Sequence, residues 1–479
     1  MSVENPLKTP KKSFNGRINR PAALVFLLFL AISPYAQEPP SPAPEDAAPP
    51  AKPAEEKPAE TIRSLGEERR DTIKYGLEPE LIDLLAALRN EKNDGFIGDF
   101  AEVLAQRPGV KTVQEIFAYF TVMDSDAGME AAEKYLENYQ EEPRDIVGAV
   151  LRYLSAEKNH DVQEQIYPLL DSPVIQIAKA AVRYFGKKGN AESAEKLLGL
   201  FGKQDISRDL REDIVLALGE MKAEGAVAFL ISLLEDEDED MTLRRYACDS
   251  LGKIGDSQAL PAIKAALGSP DNLLRSFAIS SLGYFPGDEN AGVLTAALRD
   301  SFPRVRELAA ERLGDMGYEE AVDILIYRAR RDPDRKVRQA AFRSLSKIGS
   351  SEAVAFLQEF LEGERNALDL RSLAAEELAD RHPDAMAESA AKVMAMEWTK
   401  DRSPMLDVVC KLLSQKEYSG FGDLYKRMLG HANFIIQIYG VRGVQKNRVT
   451  GLKAEVEALS AEGRHPQLRK NALSALEGL

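Results

Sequence analysis

Cysteine, histidine and tryptophan are scarce in this chain: its 479 residues hold two, four and one of them. None of His160, His382, His431 and His465 is followed by Glu, and no two stand at a metal-ligand spacing. Walker loops, nucleophile elbows and Cys-x-x-Cys pairs do not occur either. These absences argue against a metalloenzyme, a nucleotide hydrolase or a thiol oxidoreductase, so no catalytic residue, metal site or cofactor is expected. His382 and His465 each precede Pro and read as turn residues. An excess of positive charge is also missing. The formal net charge is −15, and five of the basic residues (Lys8, Lys11, Lys12, Arg17 and Arg20) fall in the first 37 positions against Glu4 alone. Such a balance disfavours nucleic acid, whose binding relies on Lys and Arg at phosphates.

Long apolar runs are confined to one place. Ala22 to Ile32 is an 11-residue run behind basic residues, within the about 7–15 of a signal-peptide core and short of the about 20 that span a bilayer. Residues 1–36 are expected to be an export signal cleaved after Ala36, although Pro34 fits the cleavage rule poorly. An uncleaved anchor is the alternative, and the only expected tie to a membrane. The chain is therefore expected in the periplasm or cell envelope. Residues 37–61, rich in Pro, Ala, Glu and Lys, cannot bury a core and are expected to form a disordered, extended spacer.

What the sequence has in abundance is Ala, Leu, Glu, Lys and Arg, with aromatics at 7%, a composition that favours helices. Sliding the chain against itself exposes a repeat. Six copies begin Leu210-Arg211, Leu243-Arg244, Leu274-Arg275, Val305-Arg306, Val337-Arg338 and Leu370-Arg371, at Arg intervals of 33, 31, 31, 32 and 33. Eight residues after each leading apolar residue stands Leu, with Ala midway at Ala247, Ala278, Ala309, Ala341 and Ala374. That spacing lays one apolar stripe along an α-helix. Gly219, Gly252, Gly283 and Gly314 follow the Leu and are expected to stop the helix, as are Gly255, Gly287, Gly317 and Gly349 beyond it. A second amphipathic helix follows, for example Ala259 to Leu267, capped by residues such as Asp256 or Ser350. A weaker copy at Leu468-Arg469 closes the chain.

This pattern resembles the HEAT repeat, in the compact subtype of the bilin-lyase-like HEAT proteins. The matching elements are the signature Val/Leu-Arg-x-x-Ala-x-x-x-Leu-Gly and an Asp six residues before the Arg. The pairs are Asp205/Arg211, Asp238/Arg244, Asp300/Arg306 and Asp332/Arg338, with Ser269 before Arg275 and Arg365 before Arg371. The resemblance implies a ladder of hydrogen bonds between adjacent repeats, broken before Arg371. It also implies an all-α solenoid of about thirteen helix pairs, with the arginine helices lining the inner face. Residues 167–379 form the core array, 380–479 degenerate repeats with a capping helix, and 62–166 degenerate repeats, of which 78–166 also fit tetratricopeptide-like pairs. The HEAT-fold hydroxylases hold iron with His-Glu pairs, which this chain lacks.

Beside the apolar stripe, the residue types vary from copy to copy. Arg245, Asp249, Lys253, Tyr284, Glu307, Glu311, Gln339, Arg343 and Lys347 form the candidate partner-binding face. The functional expectation is a non-catalytic protein-binding scaffold of the envelope. An enzyme or chaperone of the bilin-lyase type is the first alternative, and a structural spacer the second. Other local features have plainer readings. The acidic run 235–240 lacks the Gly turn of a calcium loop and reads as a solvated turn. Arg328, Arg330, Arg331, Arg335 and Lys336 flank Asp332-Pro333 and either dock an acidic partner or pair with Asp332 and Asp334. Cys248, Cys410 and Trp398 read as core or repeat-junction residues.

Overall fold

The computed structural model describes residues 64–156, 160–400 and 402–479. The expected export signal and spacer lie outside the described residues. Within these, 26 α-helices and six short 3₁₀ turns follow one another from Leu65–Tyr75 to Pro466–Leu476, with no strand. They make thirteen antiparallel pairs of an A helix and a B helix, an α-solenoid. No described helix is long and apolar enough to cross a membrane.

One unit shows why the sequence folds this way. The A helix Val227–Glu235 turns the buried Val227, Leu230 and Leu234 inward. Asp240 then caps the B helix Met241–Ile254, accepting the Thr242 N–H at 2.8 Å. Leu243, Ala247 and Leu251 of that helix are buried, and burying each Leu is worth about 1.5–3 kcal/mol. Gly255 ends the helix at φ 79°, a left-handed conformation that suits glycine. Asp271, Asp334 and Ser207 cap other B helices in the same manner.

Most glycines of the signature do something else. Gly283 ends its B helix Asn272–Leu282 as expected, whereas Gly219, Gly252 and Gly314 lie in the last turn of the B helices Arg208–Glu220, Met241–Ile254 and Pro303–Asp315. A Cβ on Gly252 would lie 2.7 Å from Cβ and Oγ of Ser281 on the next B helix. Gly219 faces Ser250 and Gly314 faces Ser344 in the same way. The missing side chain lets consecutive B helices touch backbone to backbone. Each buried serine then donates across the joint: Ser250 to the Val215 carbonyl at 2.8 Å, Ser281 to Cys248 at 2.8 Å and Ser344 to Ala310 at 2.7 Å. The A helices have no such device, and neighbours such as Val227–Glu235 and Leu260–Ala266 share far less contact than the B helices. A row packed tighter on one side curves toward that side, so the B helices line the inner face.

The first repeats use tyrosine where later ones use serine. Tyr119 donates to the Asn93 carbonyl at 2.7 Å, and Tyr153 to that of Ser125 at 2.9 Å. Both are buried B-helix residues that reach back to the end of the preceding B helix.

Candidate binding face

The ladder arginines sit in the second turn of their B helices, which points each guanidinium at the A–B turn. Arg275 grips Asp300 of the following repeat with Nε and Nη2, both at 2.9 Å. Its Nη1 donates to the Ser269 carbonyl at 3.0 Å. Arg306 repeats the pose one unit later, holding Asp332 at 2.8 and 2.7 Å and the Asp300 carbonyl at 2.8 Å. Each carboxylate therefore binds the Arg of the preceding repeat, while the Arg six residues after it takes only a main-chain oxygen.

Two of the arginines turn instead to a carbonyl at the end of their own repeat's A helix. Ser269 stands opposite Arg244, and Arg244 Nε turns to the Leu234 carbonyl at 3.0 Å. Arg371 does likewise with Leu361 at 2.8 Å. Arg338 keeps the Arg306 pose, donating to Asp332 O at 2.7 Å. The first two expected rungs do not form. Arg211 lies over the Phe201 ring, 5.2 Å from its centroid, with Nε unpartnered. Asp205 and Asp238 are exposed, and among the described residues neither carboxylate receives an arginine. Asp238 lies in the acidic turn, which an Arg208–Asp240 ion pair of 2.9 Å ties to the preceding repeat.

Burial opposes ionisation of Asp332, but the Arg306 fork and the Asp334 N–H outweigh it and hold the carboxyl below its usual range. Asp300 behaves in the same way under Arg275 and the Phe302 N–H.

Of the nine residues expected on the partner-binding face, six are engaged within the chain. Arg245 forks onto Asp271 at 3.0 and 2.6 Å, and Lys253 pairs with Asp249 at 2.9 Å. Arg304 takes Glu307 at 2.9 Å, Lys347 takes Asp315 at 2.5 Å and Arg343 lies 3.9 Å from Glu377. Arg245, Lys347 and Arg343 bridge neighbouring B helices and so also brace the array. Tyr284, 52% exposed, remains open. Glu311 and Gln339 have no side-chain partner among the described residues.

One opening of this face lies further upstream than the sequence suggested. A cleft of about 360 Å³ crosses the B helices Arg144–Ala156, Ile175–Lys188 and Arg208–Glu220. Leu151, Tyr184 and Leu216 floor it, and burial pushes the Tyr184 phenol up to about 12. Arg183 at the rim pairs with Asp213 at 3.2 Å, while Arg152, Lys187 and Glu220 carry no ion pair among the described residues. The cleft was missed because it falls where the arginine register fades.

The histidines serve turns. His382 Nε2 meets the Ser346 carbonyl at 2.8 Å, His431 packs edge-on against Trp398, and His465 stacks on Phe434. Burial pushes both cysteine thiols up to about 12.

Comparison with known families decides the lineage, because residues 73–475 match the spirochaete HEAT repeat protein family. The chain belongs to that family. The match takes in residues 78–166, which the sequence alone left between two kinds of helix pair. This HEAT chain is also 27% identical over 143 residues to an uncharacterized phycocyanin operon protein Z of Pseudanabaena tenuis, spanning 28% of this chain and 69% of that protein. Yeast importin-β, Kap95p, shares 12% identity at a TM-score of 0.51 over 86% of this chain and 67% of its own, a likeness of fold. The CpcE–CpcF phycocyanin lyase of Nostoc sp. PCC7120 aligns with 59% of this chain and 94% of its own at 20% identity and a TM-score of 0.31.

Proposed function

We propose that this HEAT solenoid is a non-catalytic protein-binding scaffold of the cell envelope, engaging its partner on the inner B-helix face. The observation that carries the reading is the cleft across three B helices, with its apolar floor between unpaired Arg152 and Lys187. Buried apolar anchors flanked by charges are how protein interfaces gain affinity and register. Histidines fixed in turns and buried thiols support a binding role over a chemical one. Inter-repeat ion pairs hold the face rigid, which lowers the entropic cost of association.

The test uses the exposed pair Arg152 and Lys187, whose replacement leaves the core untouched. The full chain, immobilised, should enrich a defined protein from envelope extracts, and Arg152→Glu/Lys187→Glu should lose it while keeping its helical signal. Equal recovery with both chains would remove the cleft from the function. Repeated failure to enrich anything would remove the scaffold.

A further inference from the structure

Arg338 stands apart from the other ladder arginines. Its Nη1 donates to the Asp332 and Pro333 carbonyls at 2.7 and 3.3 Å, as Arg306 Nη1 does to Asp300 and Ser301 at 2.8 and 3.2 Å. In Arg306 this pose aims Nε and Nη2 at the next repeat's carboxylate. In Arg338 the same two atoms have no partner among the described residues, because Arg365 occupies the position that Asp332 fills one repeat earlier.

A cleft of about 720 Å³ opens at that point, bordered by Arg331, Arg338 and Arg365. The nearby carboxylates are already engaged. Asp332 is fully buried between Arg306 and Arg328, Glu359 pairs with Arg330 at 3.1 Å, and Asp369 pairs with Arg335 at 3.0 Å. Three guanidinium groups are left without a carboxylate. A second feature points the same way. Ala367 and Leu370 border the cleft, and Ala367 is the N-cap of the B helix Leu368–Arg381, which has no side-chain cap. Its first-turn N–H groups add to an anion-favouring field. The gap at Ser269 differs on both counts: Arg244 has turned to the Leu234 carbonyl with Glu235 and Glu237 bordering the opening, and the Asp271 side chain caps the helix that follows.

We propose that this cleft is a carboxylate-binding site that takes an Asp or Glu side chain from an acidic segment of a partner protein. The incoming carboxylate seats on Arg338 Nε and Nη2 as Asp332 seats on Arg306, with Arg365 and Arg331 over its neighbours. A bidentate, charge-assisted fork is among the stronger polar contacts a protein makes. The site lies on the edge formed by the A–B turns, away from the inner face, so its fate is independent of the Arg152 cleft.

The experiment titrates a fluorescein-labelled hexaglutamate peptide with the full chain and reads anisotropy, with hexaglutamine as control. The glutamate peptide should bind and the glutamine peptide should not. Arg338→Gln and Arg365→Asp should each weaken binding by at least about tenfold, while Arg152→Gln/Lys187→Gln should leave it unchanged. Arg365→Asp supplies the missing carboxylate within the chain, so its thermal midpoint should rise by a few degrees as binding is lost; Arg365→Gln should lose binding without that rise. Binding unaffected by Arg338→Gln and Arg365→Asp would overturn the site. So would binding of inorganic phosphate in place of the peptide, or a self-association that Arg365→Asp abolishes.

Discussion

A single methyl group distinguishes two kinds of glycine in these helices. Gly199 and Gly292 face open space, so replacing either with Ala should stabilise the chain by about 1 kcal/mol through helix propensity. Gly252→Ala meets Ser281 at under 3 Å and should instead cost about 1–3 kcal/mol through overpacking. Thermal melts of Gly199→Ala and Gly252→Ala side by side would check the opposite signs. Asp332 offers a comparable contrast in charge. Its carboxyl is held below the usual range in the folded chain, so its stabilisation is full above about pH 4 and drains as pH falls through the lower folded value. Asp332→Asn leaves Arg306 buried without its counter-charge and should cost about 3–5 kcal/mol near neutrality. Denaturant midpoints at neutral and acid pH should show the gap between the two chains narrowing in acid.

At the scale of one helix, end chemistry decides. Leu368–Arg381 begins at Ala367 in an extended conformation, φ −60° and ψ 131°, similar to that of the side-chain-capped Ser207 and Asp334. Ala367→Ser should therefore add about 1 kcal/mol, read as a higher thermal midpoint with unchanged helix content. Elements were the most legible part of the sequence. The Arg–Ala–Leu stripe located the later B helices, and Asp256 and Ser350 cap the segments expected of them. Of the signature glycines, Gly283 ends its helix as expected, but the close approach at Gly219, Gly252 and Gly314 was not legible, because a stop and a close approach select the same residue and only the neighbouring helix tells them apart. The partners of the charged face residues were not legible for a related reason. Arg245 meets Asp271 and Lys347 meets Asp315 across sequence separations of 26 and 32 residues, which local periodicity does not register. Tyr119 and Tyr153 carry the serine's bridging role on a larger side chain, so the search for identical residues passed over them.

For the whole molecule, length follows from repetition, and each unit answers chiefly to its neighbours. Family and fold could be read from about 30 residues seen six times; the cleft at Arg152 could not, because it depends on three helices converging in a region where the residues diverge. The forward reach of the ladder has a mechanical consequence. Arg275 and Arg306 tie successive units through forks on largely buried side chains, whereas at Ser269 and Arg365 the ladder has no rung and the more exposed Arg245–Asp271 and Arg335–Asp369 pairs cross the joint instead. Springs in series stretch most at the weakest, so under tension the array yields at joints without a buried fork before it yields at the Arg306–Asp332 joint. A carboxylate seated on Arg338 would brace the second joint, making the reach of the protein depend on what it holds.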